Sequence, residues 1–242
     1  MRKHIYGPIN SRRLGKSLGI DLIVPKTCPL DCIYCEARAT TALTMERKEY
    51  VNINEVLQEL DEFLQSSPNV DFLTFSGAGE PTLNSRLGEV LAYLKHRYPA
   101  YRVCLLTNGL LLDDPVLQKE LSLLDLIIPS LDASNEEEYQ RINRPIAGET
   151  IEKLIARLVD FRKNVPIKMA LEIFIAPQIN DSAASIRRFA ELLRQIAPDE
   201  IQLNTLDRKG VIGDLLPAST QVIQNFADAL SPIAPITFRA DR

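Results

Sequence analysis

Three of the chain's four cysteines crowd into one short stretch, Cys28-Pro29-Leu30-Asp31-Cys32-Ile33-Tyr34-Cys35. The spacing C-x3-C-x2-C lets a single loop offer three thiolates to the corners of a [4Fe–4S] cubane, for which thiolates are the usual ligands. Three protein ligands leave one iron open, and an open metal position is what a catalytic site keeps. Zinc is the competing reading, with Cys104 or a histidine as fourth ligand. Cys104 stands among Val103, Leu105 and Leu106, so it reads as a small core residue. The only histidines, His4 and His96, leave no parts for a His-rich zinc site or a Ser-His-Asp triad. Three unrelated thiols remain the third possibility.

Other polar residues interrupt apolar runs where a ligand would sit. Ser76-Gly77-Ala78-Gly79-Glu80-Pro81 closes one run. Its glycines allow close backbone approach, and Glu80 offers an acceptor to an ammonium group. Thr107-Asn108-Gly109 and Ser130-Leu131-Asp132 close two more runs. Thr-Asn-Gly is also an ordinary turn, and Asp132 has a second reading as the cap of a helix beginning near Asn135. Ser130 and Asp132, two residues apart, share a strand face. Glu172 breaks an apolar run from Lys168 to Ile175. A buried carboxylate is costly unless paired, so it is expected to point inward, toward a ligand or into a salt bridge. Ile173 to Ile175 could pack on a ligand's ring or simply be core. Asn204, Asp207, Arg208 and Lys209 are candidates for a substrate side.

These groups need a scaffold that gathers them. Apolar runs at Leu18–Val24, Asp71–Phe75, Arg102–Leu106, Leu126–Leu131, Lys168–Ile175 and Glu200–Asn204 read as strands. Helical spacing follows each: 54–64 (Asn54 its cap), 87–98, 115–123, 151–161, 186–196 and 220–230. A short final run covers Ile236–Arg239. Near-continuous apolar strands between helices imply a parallel sheet covered on both faces. With right-handed crossovers the expectation is α/β, a doubly wound sheet or a barrel, its site at the C-terminal strand ends. The cysteine loop, Ser76 to Glu80, Thr107-Asn108, Ser130 with Asp132, and Asn204 all fall there.

The 242 residues suit one domain spanning 1–242, with a basic segment over 1–17 and a tail from about 206. Residues 1–26 carry net charge +5, against −4 for the whole chain. That arm suits a phosphate or carboxylate, or a solvated loop; the acidic total gives nucleic acid no support. No apolar run approaches the roughly 20 residues of a membrane helix, and the basic N-terminus lacks a signal peptide's apolar stretch. Together with clustered free thiols, this leads us to expect a cytoplasmic protein without a membrane partner.

The cysteine loop, with Tyr34 in its aromatic place, resembles the signature of the radical S-adenosylmethionine (radical SAM) superfamily. The resemblance implies a partial (β/α)6 TIM-like barrel. It implies a [4Fe–4S] cluster on Cys28, Cys32 and Cys35, and S-adenosylmethionine on the open iron. It also implies reductive cleavage to a 5′-deoxyadenosyl radical that abstracts a substrate hydrogen, and a one-electron donor such as flavodoxin or ferredoxin. Gly77, Gly79 and Glu80 are similar to the family's Gly-Gly-Glu-Pro motif, with Ala78-Gly79 in place of the paired glycines. By the same resemblance Tyr34, Thr107, Asn108, Ser130 and Asp132 join the cofactor side; Glu172 is placed with them by its position in a buried strand. Gly7 to Gly15, Ser17 to Ile20, the cysteine loop with Glu36, Ser76 to Leu83 and Ser130 to Pro145 resemble a group related to wyosine synthase, without that group's second set of three cysteines. The substrate is left open, with a modified nucleoside, RNA or a protein as candidates. A glycyl-radical-enzyme activase and a non-catalytic iron–sulfur or zinc module are the alternatives.

Overall fold

The structure, a computed structural model, describes residues 2–11, 14–207, 211, 213 and 215–238. Arg12, Arg13, Arg208 and Lys209 lie outside the described residues.

Six strand–helix units follow one another. Strand β2 (Gly15–Ile20) leads through the cysteine loop to α1 (Ile53–Leu64). Next come β5 (Phe72–Phe75) and α2 (Leu87–Arg97), then β6 (Arg102–Thr107) and α3 (Pro115–Leu121). After β7 (Leu126–Pro129) stand a short α4 (Glu136–Ile142) and a long α5 (Ile151–Asn164). Then β8 (Lys168–Phe174) pairs with α6 (Ala183–Ile196), and β9 (Glu200–Asn204) with α7 (Thr220–Leu230). Within the cysteine segment, β3 (Thr27–Cys28) and β4 (Ala42–Leu43) form a small parallel pair. The cap of α1 is Asn52, whose side chain accepts from the Asn54 amide, so the cap falls two residues before the expected one.

The main sheet has the order β1-β2-β5-β6-β7-β8-β9-β10, with β1 (Ile5–Ser11) and β10 (Ile236–Thr237) as its edges. It curls into a half barrel, the expected partial barrel. All pairings are parallel except β1 with β2. That hairpin is not expected from the sequence: most of β1 is exposed, so it carries no apolar run.

The strands bury both faces. Leu73, Phe75, Val103, Leu105, Ile127, Leu171 and Ile173 pack with the helices. On the inner face Leu14, Phe72, Cys104, Leu126, Ile128 and Ala170 form a separate apolar floor. Cys104 is thus a fully buried core residue. No helix among the described residues is long and apolar enough to cross a membrane.

The basic arm is dispersed. Arg2 lies over the Phe63 ring at 4.6 Å, and Lys3 pairs with Glu55 at 3.3 Å. Lys26 turns inward, to a cysteine described below.

Candidate active site

The cysteine loop is stitched to a segment more than a hundred residues away. The Asp31 and Ile33 amides donate to the Asn143 and Ile142 carbonyls, and the Ile146 amide donates to Pro29. This brings Asn143-Arg144-Pro145 against the loop. Each cysteine sulfur there meets a side-chain N–H donor, and Cys28 also accepts from the Leu30 backbone amide. Asn108 Nδ2 lies 3.6 Å from Cys28 Sγ, Asn143 Nδ2 3.4 Å from Cys32 Sγ, and Lys26 Nζ 3.1 Å from Cys35 Sγ. Burial pushes the Cys28 thiol up to about 12, with the Glu80 carboxylate adding to it. Cys32 is raised well above its ordinary value, by burial first and then by Asp132. Such thiols become thiolates when a metal takes the proton's place.

Asp132 ties the loop to the sheet. Its carboxylate accepts from the Tyr34 hydroxyl at 2.6 Å, Asn143 Nδ2 at 2.8 Å and the Phe174 amide at 2.9 Å. Burial raises its pKa, and these three bonds oppose the rise. The Tyr34 ring stacks on Phe174, centroids 3.9 Å apart. Asn135, not Asp132, caps α4.

Glu80 does the same for the glycine motif. Its two oxygens accept from the Thr82 amide and hydroxyl, the Thr107 hydroxyl and the Asn108 amide, at 2.7–3.1 Å. Burial raises its pKa against the pull of those donors. The glycines have a local reason. A side chain at Gly77 would strike the Asp21 carboxylate, and one at Gly79 the Thr27 carbonyl. Asp21 accepts from the Ala78 amide at 2.9 Å, beneath the motif.

Two adjoining cavities lie among these groups. The smaller, about 220 Å³, is lined by Cys32, Gly77, Gly79, Glu80, Thr107, Asn108, Ser130, Asp132, Tyr139 and Asn143, among others. The larger, about 660 Å³, is bounded by the β1–β2 hairpin, Cys35 to Ala37, Phe174 and Asn204 to Asp207. Tyr34, Ser76, Gly77 and Leu106 line both. Glu172 lines neither; its carboxylate accepts from Asn204 Nδ2 at 3.3 Å.

The Tyr139 hydroxyl and Asn143 Oδ1 are buried without a hydrogen-bond partner among the described residues, and both residues line the smaller cavity. Buried polar atoms are nearly always paired, so a polar ligand is the natural complement. Asp21, Lys26, Tyr139 and Asn143 were not singled out from sequence. Of these, Tyr139 and Asn143 fall within the segment Ser130 to Pro145 that carried the resemblance.

Tyr6 reaches from β1 to the larger cavity, its hydroxyl 2.6 Å from Ser76 Oγ. Its ring occupies the place where Gly19 lacks a side chain. Gly19→Ala should therefore push the phenol out and cost about 1–3 kcal/mol, as overpacking does. In a double-mutant cycle by urea unfolding, a prior Tyr6→Ala should remove most of that cost; equal costs in both backgrounds would refute the packing.

A family model described as the radical SAM superfamily matches residues 22–193. A UPF0026 protein of Synechocystis is 37% identical over 201 residues, covering 83% of this chain and 74% of that one. A protein of Brachyspira hyodysenteriae described as GTPase Obg is 36% identical over 207 residues, 86% of this chain. The match spans only 30% of that protein's length. Among solved structures, a radical SAM methyltransferase from Sphaerobacter thermophilus superposes with TM-score 0.71 at 19% identity. It covers 92% of this chain and 65% of that one. TYW1 with a lysine–pyruvate adduct, a wyosine synthase, gives 0.65 at 18% identity, covering 90% and 74%.

The cofactors of that family are a [4Fe–4S] cluster and S-adenosylmethionine. The residues here fit both. Among the described residues no three His, Cys, Asp or Glu side chains converge on a single ion. A cubane does not require that, because each thiolate holds a different iron. The partnerless Tyr139 and Asn143 atoms suit a polar cofactor.

Proposed function

We propose, for a chain that belongs to the radical SAM superfamily, that Cys28, Cys32 and Cys35 hold the cluster and that the two adjoining cavities take S-adenosylmethionine and a substrate. When bound, cluster and cofactor supply a 5′-deoxyadenosyl radical that abstracts a hydrogen atom. The observation that carries this reading is the convergence of the cysteine loop, the Glu80 hub and the partnerless Tyr139 and Asn143 atoms on one cavity. At 220 Å³ it falls below the roughly 300–1,000 Å³ of small-molecule sites. S-adenosylmethionine would therefore need both cavities, and Tyr34, Ser76, Gly77 and Leu106, which line the two, would hold it.

Each part of the chain has a task. The Asp132 and Glu80 hubs fix the loop and the glycine motif before any ligand arrives. Gly77, Gly79, Thr107, Asn108 and Ser130 shape the cofactor wall. The apolar floor around Cys104 closes the lumen beneath and keeps water from the radical. Glu172 steadies the β8–β9 strand ends through Asn204.

The larger cavity suggests a substrate class. Tyr6 is 39% exposed, and Asn10 adds a side-chain amide. Aromatic faces and amides are the groups that stack on bases and read their edges. This favours a nucleobase, in a modified nucleoside or RNA, over the protein substrate of a glycyl-radical activase. The family is one of enzymes, which sets aside a non-catalytic module. A one-electron donor such as flavodoxin or ferredoxin would supply the electron in a reducing cytosol.

The test is anaerobic reconstitution with iron and sulfide, followed by dithionite and S-adenosylmethionine. We expect 5′-deoxyadenosine by mass spectrometry, with more of it when the nucleoside or RNA substrate is present. A bound cluster whose EPR signal S-adenosylmethionine leaves unchanged would sink the reading.

A further inference from the structure

Lys26 has an unusual setting. It is 8% exposed, and its backbone sits in the left-handed region at φ 56°. That region is uncommon for a residue other than glycine. Three bonds hold it there: the Lys26 carbonyl accepts from the Thr41 and Ala42 amides at 3.0 and 2.9 Å and from the Thr41 hydroxyl at 3.3 Å. The result is an ammonium group aimed at Cys35 Sγ, 3.1 Å away. The other two sulfurs face neutral amides, and the carboxylates of Glu80 and Asp132 act on Cys28 and Cys32. The cluster loop therefore has an ammonium bonded at Cys35, its charge also felt at Cys28, and carboxylates acting on Cys28 and Cys32.

We propose that Lys26 is a positioning residue that raises the cluster's reduction potential. This rests on the reading that Cys28, Cys32 and Cys35 carry the cluster. On reduction, one electron enters the cluster from an external one-electron donor, and the net charge of cluster plus thiolates falls by one. No bond to the protein forms or breaks. A cation bonded to a ligand sulfur stabilises the more negative, reduced form, and hydrogen bonds to sulfur are a known control on such potentials. The strained backbone is the cost of aiming the ammonium from within the loop's own first turn.

The experiment is an EPR-monitored redox titration of reconstituted Lys26→Met, Lys26→Gly and Lys26→Arg, with iron content measured for each. Glycine suits the left-handed backbone, so Lys26→Gly removes the charge while keeping the loop. We expect both neutral variants to bind iron as the parent does, and their reduction equilibrium to fall about tenfold, or about 59 mV for a one-electron couple. Lys26→Arg should stay close to the parent. Full iron with an unshifted potential in the neutral variants overturns the proposal. So does iron loss in all three variants, since Lys26 then only folds the loop. If the parent itself binds no cluster, it is the underlying assignment that fails.

Discussion

Replacing Cys28, Cys32 or Cys35 by alanine is expected to remove the bound cluster and abolish 5′-deoxyadenosine formation, while Cys104→Ala leaves both in place. Each of the three sulfurs has its own N–H donor and its own side of the loop, so none can substitute for another. Cys104 belongs to the apolar floor with Phe72, Leu126 and Ile128. Its loss leaves a small void, worth about 1 kcal/mol of stability. Iron content, the cluster's visible absorbance and a urea melt distinguish the two outcomes. Cluster loss on Cys104→Ala would refute the ligand assignment.

Glu80→Ala is the second large effect, and it should strike folding and cofactor binding together. Glu80 is 3% exposed, and its carboxylate serves four donors. Removing it strands the Asn108 and Thr82 amides and two threonine hydroxyls. An unsatisfied buried donor costs about 1–3 kcal/mol, and water entering from the cavity will satisfy some of them. A net loss of about 3 kcal/mol follows. Because Asn108 also donates to Cys28, the disturbance reaches the cluster loop. S-adenosylmethionine affinity, by calorimetry on the reconstituted protein, should weaken at least about tenfold. Glu80→Gln keeps the shape and most acceptors, so its losses should be clearly smaller. Equal losses in the two variants would show that the charge, not the hub, is what matters.

The sequence was most legible where burial is simplest. A strand covered on both faces needs no polar alternation, so β5 to β9 stand out as apolar runs between helices. The polar residues at the ends of those runs line the cavities, whereas Glu172, inside its run, lines neither. The β1 strand was hidden for the opposite reason: one buried residue, Ile5, opens an otherwise largely exposed edge. Local spacing revealed the three cysteines. It could not reveal Asn143, whose contact with Cys32 closes a loop of 111 residues, nor Tyr139, which looks like any core aromatic of a helix. Lys26 was counted as part of a basic arm because charge totals carry no direction. Asp132 and Glu80 were read as facing a ligand, and what the sequence concealed is how many protein donors each already serves.

The Tyr34–Phe174 stack has a further consequence. The Phe174 amide donates to Asp132, which also holds Tyr34 and, through Asn143, Cys32. The cysteine loop and the end of β8 therefore open and close as one cooperative unit, not as a loose loop on a rigid strand. A cluster held on this loop would inherit the protection of the sheet. The hydrogen exchange of a single backbone amide, that of Phe174, should follow the integrity of the cysteine loop.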